Sequence, residues 1–178
     1  MRVLALCGSL REPSYTRLAM GLALAEAARA GAEVGWASLR DLPWCDGRPD
    51  DDYPPAVAEL REQVKGAQAL LIGSPEYHGS MTGVLKNALD LLGPAELRGK
   101  LIGLVAVARG EAGAMNTLNH LRQVGRWVDA WVLPHQVSIP SASSAFGPEG
   151  HVLRPGLDAE LTQLGSELVR YARLLSAS

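Results

Sequence analysis

The run Leu101-Ile102-Gly103-Leu104-Val105-Ala106-Val107-Ala108 presents no polar side chain on either side. Successive residues of a strand point to opposite faces, so a strand built from this run must be covered twice. That is the signature of a parallel sheet with helices above and below it. No apolar run in the chain exceeds its eight residues, far below the ~20 residues a membrane span needs. The same kind of segment recurs. Residues 2–7 and 69–73 read as buried strands, residues 33–39 as a strand alternating around Val34 and Trp36, and a fifth strand falls in the second half of residues 127–137.

Helical repeats fill the gaps between these strands. Residues 15–30 carry Leu18, Leu22, Ala25 and Ala28 at helical spacing, with Gly31 as the stop signal. Pro54-Pro55 opens a helix with Val57, Leu60 and Val64, closed by Gly66. Residues 84–92 are helical up to Gly93-Pro94, Met115, Leu118, Leu121 and Val124 mark another helix, and a long stripe runs from Leu157 to Leu175. Segments 41–55 and 141–156 read as loops. Strands alternating with helices pair in parallel through right-handed crossovers. The sequence therefore predicts an α/β fold, one three-layer domain over residues 1–178.

Composition narrows the function classes. Of 178 residues, 47% are hydrophobic and 20% charged, which excludes wholesale disorder. The net charge of −2 offers no basic surplus for nucleic acid or an anionic membrane. Cys7 and Cys45 form no CxxC pair, so no disulfide framework or zinc ribbon is expected. His120, His135 and His151 lie on different elements, and no metal site is expected. Cys7 reads as a buried inert thiol, while Trp127 and Trp131 read as core or subunit-interface residues. Met1-Arg2 lead directly into Val3–Leu6, too short for a signal-peptide core, which predicts a cytoplasmic protein.

In an open parallel sheet, ligands bind outside the carboxyl ends of the strands. The loop after the first strand, Gly8-Ser9-Leu10-Arg11-Glu12-Pro13-Ser14-Tyr15-Thr16, enters a helix N-terminus, where free N–H groups and the dipole favour an anion. Ser9, Ser14, Thr16 and Arg11 suit a phosphate monoester; equally, Ser and Thr are ordinary N-caps. A dinucleotide fingerprint needs G-x-G-x-x-G, and only Gly8 is present. No P-loop and no G-x-S-x-G elbow occur either.

The loop after the third strand reads Ser74-Pro75-Glu76-Tyr77-His78-Gly79-Ser80-Met81-Thr82-Gly83 and continues Val84-Leu85-Lys86-Asn87-Ala88-Leu89-Asp90. It resembles the S-P-E-Y-N-G-S-x-P-G-x-L-K-N-A-L-D signature of the NAD(P)H-dependent FMN reductase family. The first loop resembles that family's G-S-L-R-x-x-S-x-N pattern, and the likeness extends over residues 3–137. The resemblance implies a flavodoxin-like fold with strand order 2-1-3-4-5 and non-covalent FMN. It implies that Ser9, Arg11, Ser14 and Thr16 hold the phosphate, with Tyr15 in the same site. Pro75, Glu76, Tyr77, His78 and Gly79 would line the flavin ring, and Ala108, Arg109 and Gly110 would complete the cofactor site. Taken without the resemblance, Tyr77 is a surface aromatic packed on its own loop.

The sequence departs from the family at four places. Thr16 and His78 stand where Asn is usual. Thr82 stands where Pro is usual, a change expected to affect only loop stiffness. Ala108-Arg109-Gly110-Glu111-Ala112-Gly113 replaces a common S-P-G-x-x-G. Arg109 is expected either to pair with Glu111 or to grip a phosphate of the nicotinamide donor. The implied activity passes electrons from NADPH or NADH through FMN to a quinone-like or other small-molecule acceptor, or to free FMN. No protein nucleophile or obligatory base is required, so no catalytic residue is assigned. The family likeness also implies a homodimer or homotetramer. A non-enzymatic electron carrier and an FMN-binding module are the alternatives.

Overall fold

A computed structural model describes residues 1–148 and 150–176. Its elements are β1 (Arg2–Cys7), α1 (Tyr15–Arg29), β2 (Glu33–Ala37), α2 (Pro55–Lys65), β3 (Ala69–Pro75), α3 (Gly83–Asp90) and α4 (Pro94–Leu97). Then follow β4 (Leu101–Val107), α5 (Met115–Trp127), β5 (Trp131–Ile139), α6 (Ala142–Ala145) and α7 (Leu157–Ser176). The strands form one parallel sheet in the order β2-β1-β3-β4-β5. The order reverses between β1 and β3, so a crevice opens at the ends of those two strands.

Every residue of β4 is buried, as its unbroken apolar run requires. One face of the sheet packs α1 and α7 through Val3, Ala5, Leu71, Val105, Met20, Leu164 and Leu168. The other packs α2, α3 and α5 through Leu4, Leu6, Leu70, Leu104, Leu60, Leu85 and Leu118. Burying a Leu or Val side chain contributes about 1.5–3 kcal/mol, so these two layers hold most of the fold's stability.

Several element boundaries differ from the sequence reading, each for a local reason. β3 runs two residues past Gly73. Ser74 and Pro75 pair only with Ala106 and Val107, because β1 has already left the sheet at Cys7. Proline is tolerated there because one flank of the strand no longer needs a donor. β2 ends two residues short of residue 39. β5 extends to Ile139, and its register against β4 shifts between Ile102 and Leu104, opposite the stretch that contains Pro134. An edge strand accepts such a shift. The 141–156 loop contains the short helix α6 and a bridge between Phe146 and Val152. Trp127 and Trp131 are 81% and 61% exposed, so neither is a core residue of this chain.

Candidate functional site

Gly8 is where the site begins. A Cβ there would lie 2.8 Å from the Thr82 hydroxyl and 2.9 Å from the Leu85 Cβ. Only glycine lets the end of β1 pass this closely under the start of α3. The vacated space holds a specific contact: Thr82 Oγ1 donates to the Gly8 carbonyl at 2.7 Å. The same hydroxyl accepts from Leu85 N as the N-cap of α3, while Thr82 N donates to Ser74 Oγ at 3.0 Å. Thr82 thus ties β1, β3 and α3 together. Its part is not one of loop stiffness alone, and the partner lies 74 positions away in the chain.

Beyond Ser74 the backbone makes a tight reversal. Tyr77 N donates to Ser80 O at 2.9 Å and Ser80 N to Tyr77 O at 3.1 Å. The two central residues have positive φ, 53° at His78 and 76° at Gly79. This is the I′ kind of turn, whose central pair favours Asn-Gly because both positions are left-handed. His78 therefore stands at a backbone-restricted position, and histidine is among the residues that tolerate it.

Helix α5 supports this turn from outside. Its N-cap, Ala114, has no side chain to offer an acceptor. The free amide of Thr117 instead donates to Glu76 Oε2 at 3.0 Å, placing a carboxylate at the positive end of the helix. Ser80 Oγ lies 2.9 Å from His120 Nδ1. Glu76 is also anchored by its own amide, which donates to Val107 O at 2.8 Å.

The first loop is organised by its hydroxyls. Ser14 caps α1, accepting from Arg17 N at 3.1 Å, and Ser9 Oγ accepts from Arg11 N at 3.4 Å. Thr16 is only 2% exposed and its hydroxyl has no hydrogen-bond partner among the described residues. The Tyr15 ring stacks on buried Phe146 at 5.8 Å. The loop after β4 is held mostly by its backbone: Ala108 N donates to Ile139 O at 2.8 Å and Ser141 N to Gly110 O at 3.0 Å, while Ser138 Oγ accepts from Ala114 N at 3.1 Å. Arg109 does not pair with Glu111, and it has no acid within 4.0 Å among the described residues.

These three loops enclose a cavity of about 370 Å³. Every site residue named from the sequence lines it: Ser9, Arg11, Ser14, Tyr15 and Thr16 at one end, Pro75 to Gly79 along one side, and Ala108, Arg109 and Gly110 along the other. The sequence reading missed Pro13, Val107, Ala112, Gly113 and Ala142, which complete the wall. Ala142 carried no signal, since it reaches the cavity only because β5 delivers its own following loop to the same sheet edge. Cys7, just below, is buried; desolvation pushes its thiol pKa up, as fits an inert side chain. No His, Cys, Asp and Glu cluster that could hold a metal occurs among the described residues. A larger groove of about 840 Å³ lies elsewhere, between α3 and α5.

The cavity fits the cofactor that the fold implies. A phosphate would meet the Thr16 hydroxyl, the unpaired Arg11 guanidinium and the free amides at the start of α1. The apolar Pro75, Val107, Ala108 and Ala112 and the aromatic Tyr77 suit a flat ring.

A parallel sheet wound 2-1-3-4-5, with a mononucleotide-sized cavity at its switch point, defines a flavodoxin-like protein. Residues 1–144 match the model of the NADPH-dependent FMN reductase family, and the chain belongs to that family. It is 36% identical to an NAD(P)H-dependent FMN reductase of Pseudomonas aeruginosa, over 86% of this chain and 85% of that one. It is 35% identical to the NADPH-dependent FMN reductase ArsH of Shigella flexneri, over 98% of this chain and 70% of that one. Among solved structures, the flavoenzyme NAD(P)H:(acceptor) oxidoreductase FerB of Paracoccus denitrificans shares the fold, with a TM-score of 0.85 at 22% identity over 97% of both chains. The chain is an oxidoreductase of a family that uses FMN and NADPH.

Proposed function

We propose that this cavity holds FMN and that the protein passes electrons from NADPH or NADH to a quinone-like or other small acceptor, free FMN included. One observation carries the reading: residues from three separate loops, named from sequence motifs alone, line a single cavity at the switch point of the sheet. The flavin, when bound, supplies the redox chemistry, accepting hydride from the nicotinamide and giving electrons to the acceptor. The chain's own part is placement. Arg11, Thr16, Ser14 and Ser9 fix the phosphate. The 77–80 turn offers backbone donors to the polar rim of the ring, and its neighbours Thr82 and Glu76 keep the turn in register with β1 and α5. Ala108, Arg109 and Gly110 form the opposite wall.

A non-enzymatic carrier is the second reading. Carriers that dock on protein partners favour a strongly acidic surface, and the chain's net charge is only −2. The reading includes a cytoplasmic setting, supported by two free cysteines; no helix among the described residues is long and apolar enough to cross a membrane. It also includes assembly into a homodimer or homotetramer, with a second copy over the α3–α5 groove, whose rim carries exposed Trp127.

Fluorescence titration should show tighter binding of FMN than of FAD, and catalytic amounts of the FMN-loaded protein should oxidise NADPH with a quinone present. Equal or tighter FAD binding, or stoichiometric oxidation without turnover, would sink the reading. Arg11→Ala should lose a charge-assisted contact of roughly 1.5–3 kcal/mol, weakening FMN by about one to two decades and leaving riboflavin little changed.

A further inference from the structure

The first loop borders a second space besides the flavin cavity. Arg11, Pro13 and Ser14 also wall an open groove of about 800 Å³ between α1 and β2, whose other side is formed by Arg17, Leu22 and Trp36. The Arg17 guanidinium carbon lies 4.4 Å from the centre of the Trp36 ring. Stacking of this kind holds a cation in place without neutralising it. Glu12 also lines the groove, with its carboxylate 3.8 Å from the Arg40 guanidinium. Neither Arg11 nor Arg17 has an acid within 4.0 Å among the described residues.

Two unpaired arginines therefore flank one loop, and they face different spaces. Arg11 lines both the flavin cavity and the groove, whereas Arg17 lines the groove and not the flavin cavity. FMN carries one phosphate, and Arg11 is the cation placed for it. Exposed Arg17 is free to meet a second anion, on a ligand that also has a flat group to set against the stacked guanidinium. A nicotinamide dinucleotide has both at its adenylate end.

Resting on the flavin-reductase reading above, we propose that the groove between α1 and β2 is the subsite for the adenylate half of the nicotinamide donor. The dinucleotide would cross the first loop from the flavin cavity, with Arg17 holding a phosphate and the adenine lying against the Arg17–Trp36 pair. Arginine planes are good stacking partners for bases, and half-exposed Leu18 and Leu22 give the groove an apolar floor for the base edge.

The test uses FMN-loaded protein, adenosine 2′,5′-bisphosphate as a calorimetric probe, and two donors, NADPH and reduced nicotinamide mononucleotide, which lacks the adenylate. Arg17→Ala should weaken the bisphosphate about tenfold and raise KM for NADPH by a similar factor. KM for the mononucleotide and affinity for FMN should stay unchanged. Trp36→Leu should act in the same direction. Because Trp36 also packs on the core, Arg17→Gln, with the indole intact, serves as the variant that leaves that packing alone. An unchanged bisphosphate affinity in Arg17→Ala and Arg17→Gln would overturn the proposal. So would a loss of FMN affinity, which would place Arg17 at the flavin phosphate. Failure of the underlying reading would look different: no NADPH oxidation by the wild-type protein, with the calorimetric titration still deciding the groove.

Discussion

The loops after β3 and β4 sit side by side on one sheet edge and line the same cavity, yet they rely on side chains to different degrees. The first is pinned through side chains. Thr82 reaches Gly8, Ser74 holds Thr82, Glu76 caps α5, and Ser80 meets His120. The second is held mainly by backbone bonds to Ile139 and Ser141, with one side-chain anchor where Ser138 Oγ accepts from Ala114 N, and Arg109 and Glu111 are both exposed. A loop held through side chains accepts few replacements, while one held by its backbone keeps its path whatever side chains it carries.

The comparison is open to direct attack. The largest effect should come from Thr82→Val, which keeps the shape and removes the hydroxyl. It strips the cap of α3 and leaves the Gly8 carbonyl unpaired, at a cost of about 2–4 kcal/mol, readable as a lower denaturation midpoint. A loss below about 0.5 kcal/mol, the range of ordinary surface changes, would mean the contact contributes nothing. Next comes His78→Val. A β-branched residue at φ 53° should cost about 1–2 kcal/mol, whereas His78→Asn should be nearly neutral. Equal effects of the two would show that the turn is not restricted by its backbone. Smallest is Arg109→Ala, expected to leave stability within about 0.5 kcal/mol by chemical denaturation. A larger fall would reveal a side-chain contact and erase the contrast between the loops.

Cysteine chemistry gives an independent check on the layer beneath the site. Cys45 is exposed, whereas Cys7 is buried with its pKa raised by desolvation. A folded sample treated with iodoacetamide near neutral pH should be labelled at Cys45 and spared at Cys7, as read by peptide mass. Rapid labelling of Cys7 would show that the end of β1 opens readily.

The sheet was legible because burial on both faces leaves its mark directly in the residues, as in 101–108. The cavity was legible because parallel strands deliver their following loops to one edge, so the motif-bearing loops had to converge. What escaped were relations between distant positions. Nothing local to Thr82 announces a carbonyl at Gly8. The His78 substitution reads as a lost amide group, while the structure makes it a question of left-handed backbone. The third strand reads as ending at Gly73 and not at Pro75, because the early departure of β1 is a fact of pairing and not of residue type. Exposed Trp127 and Trp131 carried the apolar signal of a core without belonging to one.

The borrowed cap of α5 has a consequence of its own. Because Ala114 cannot close the helix, the amide of buried Thr117 has Glu76 as its hydrogen-bond acceptor. Opening of the 76–80 turn therefore uncovers one particular hydrogen on a neighbouring helix. Deuterium uptake at that amide is a gauge of how often the cavity wall lets go, and it can be read with the site empty or filled.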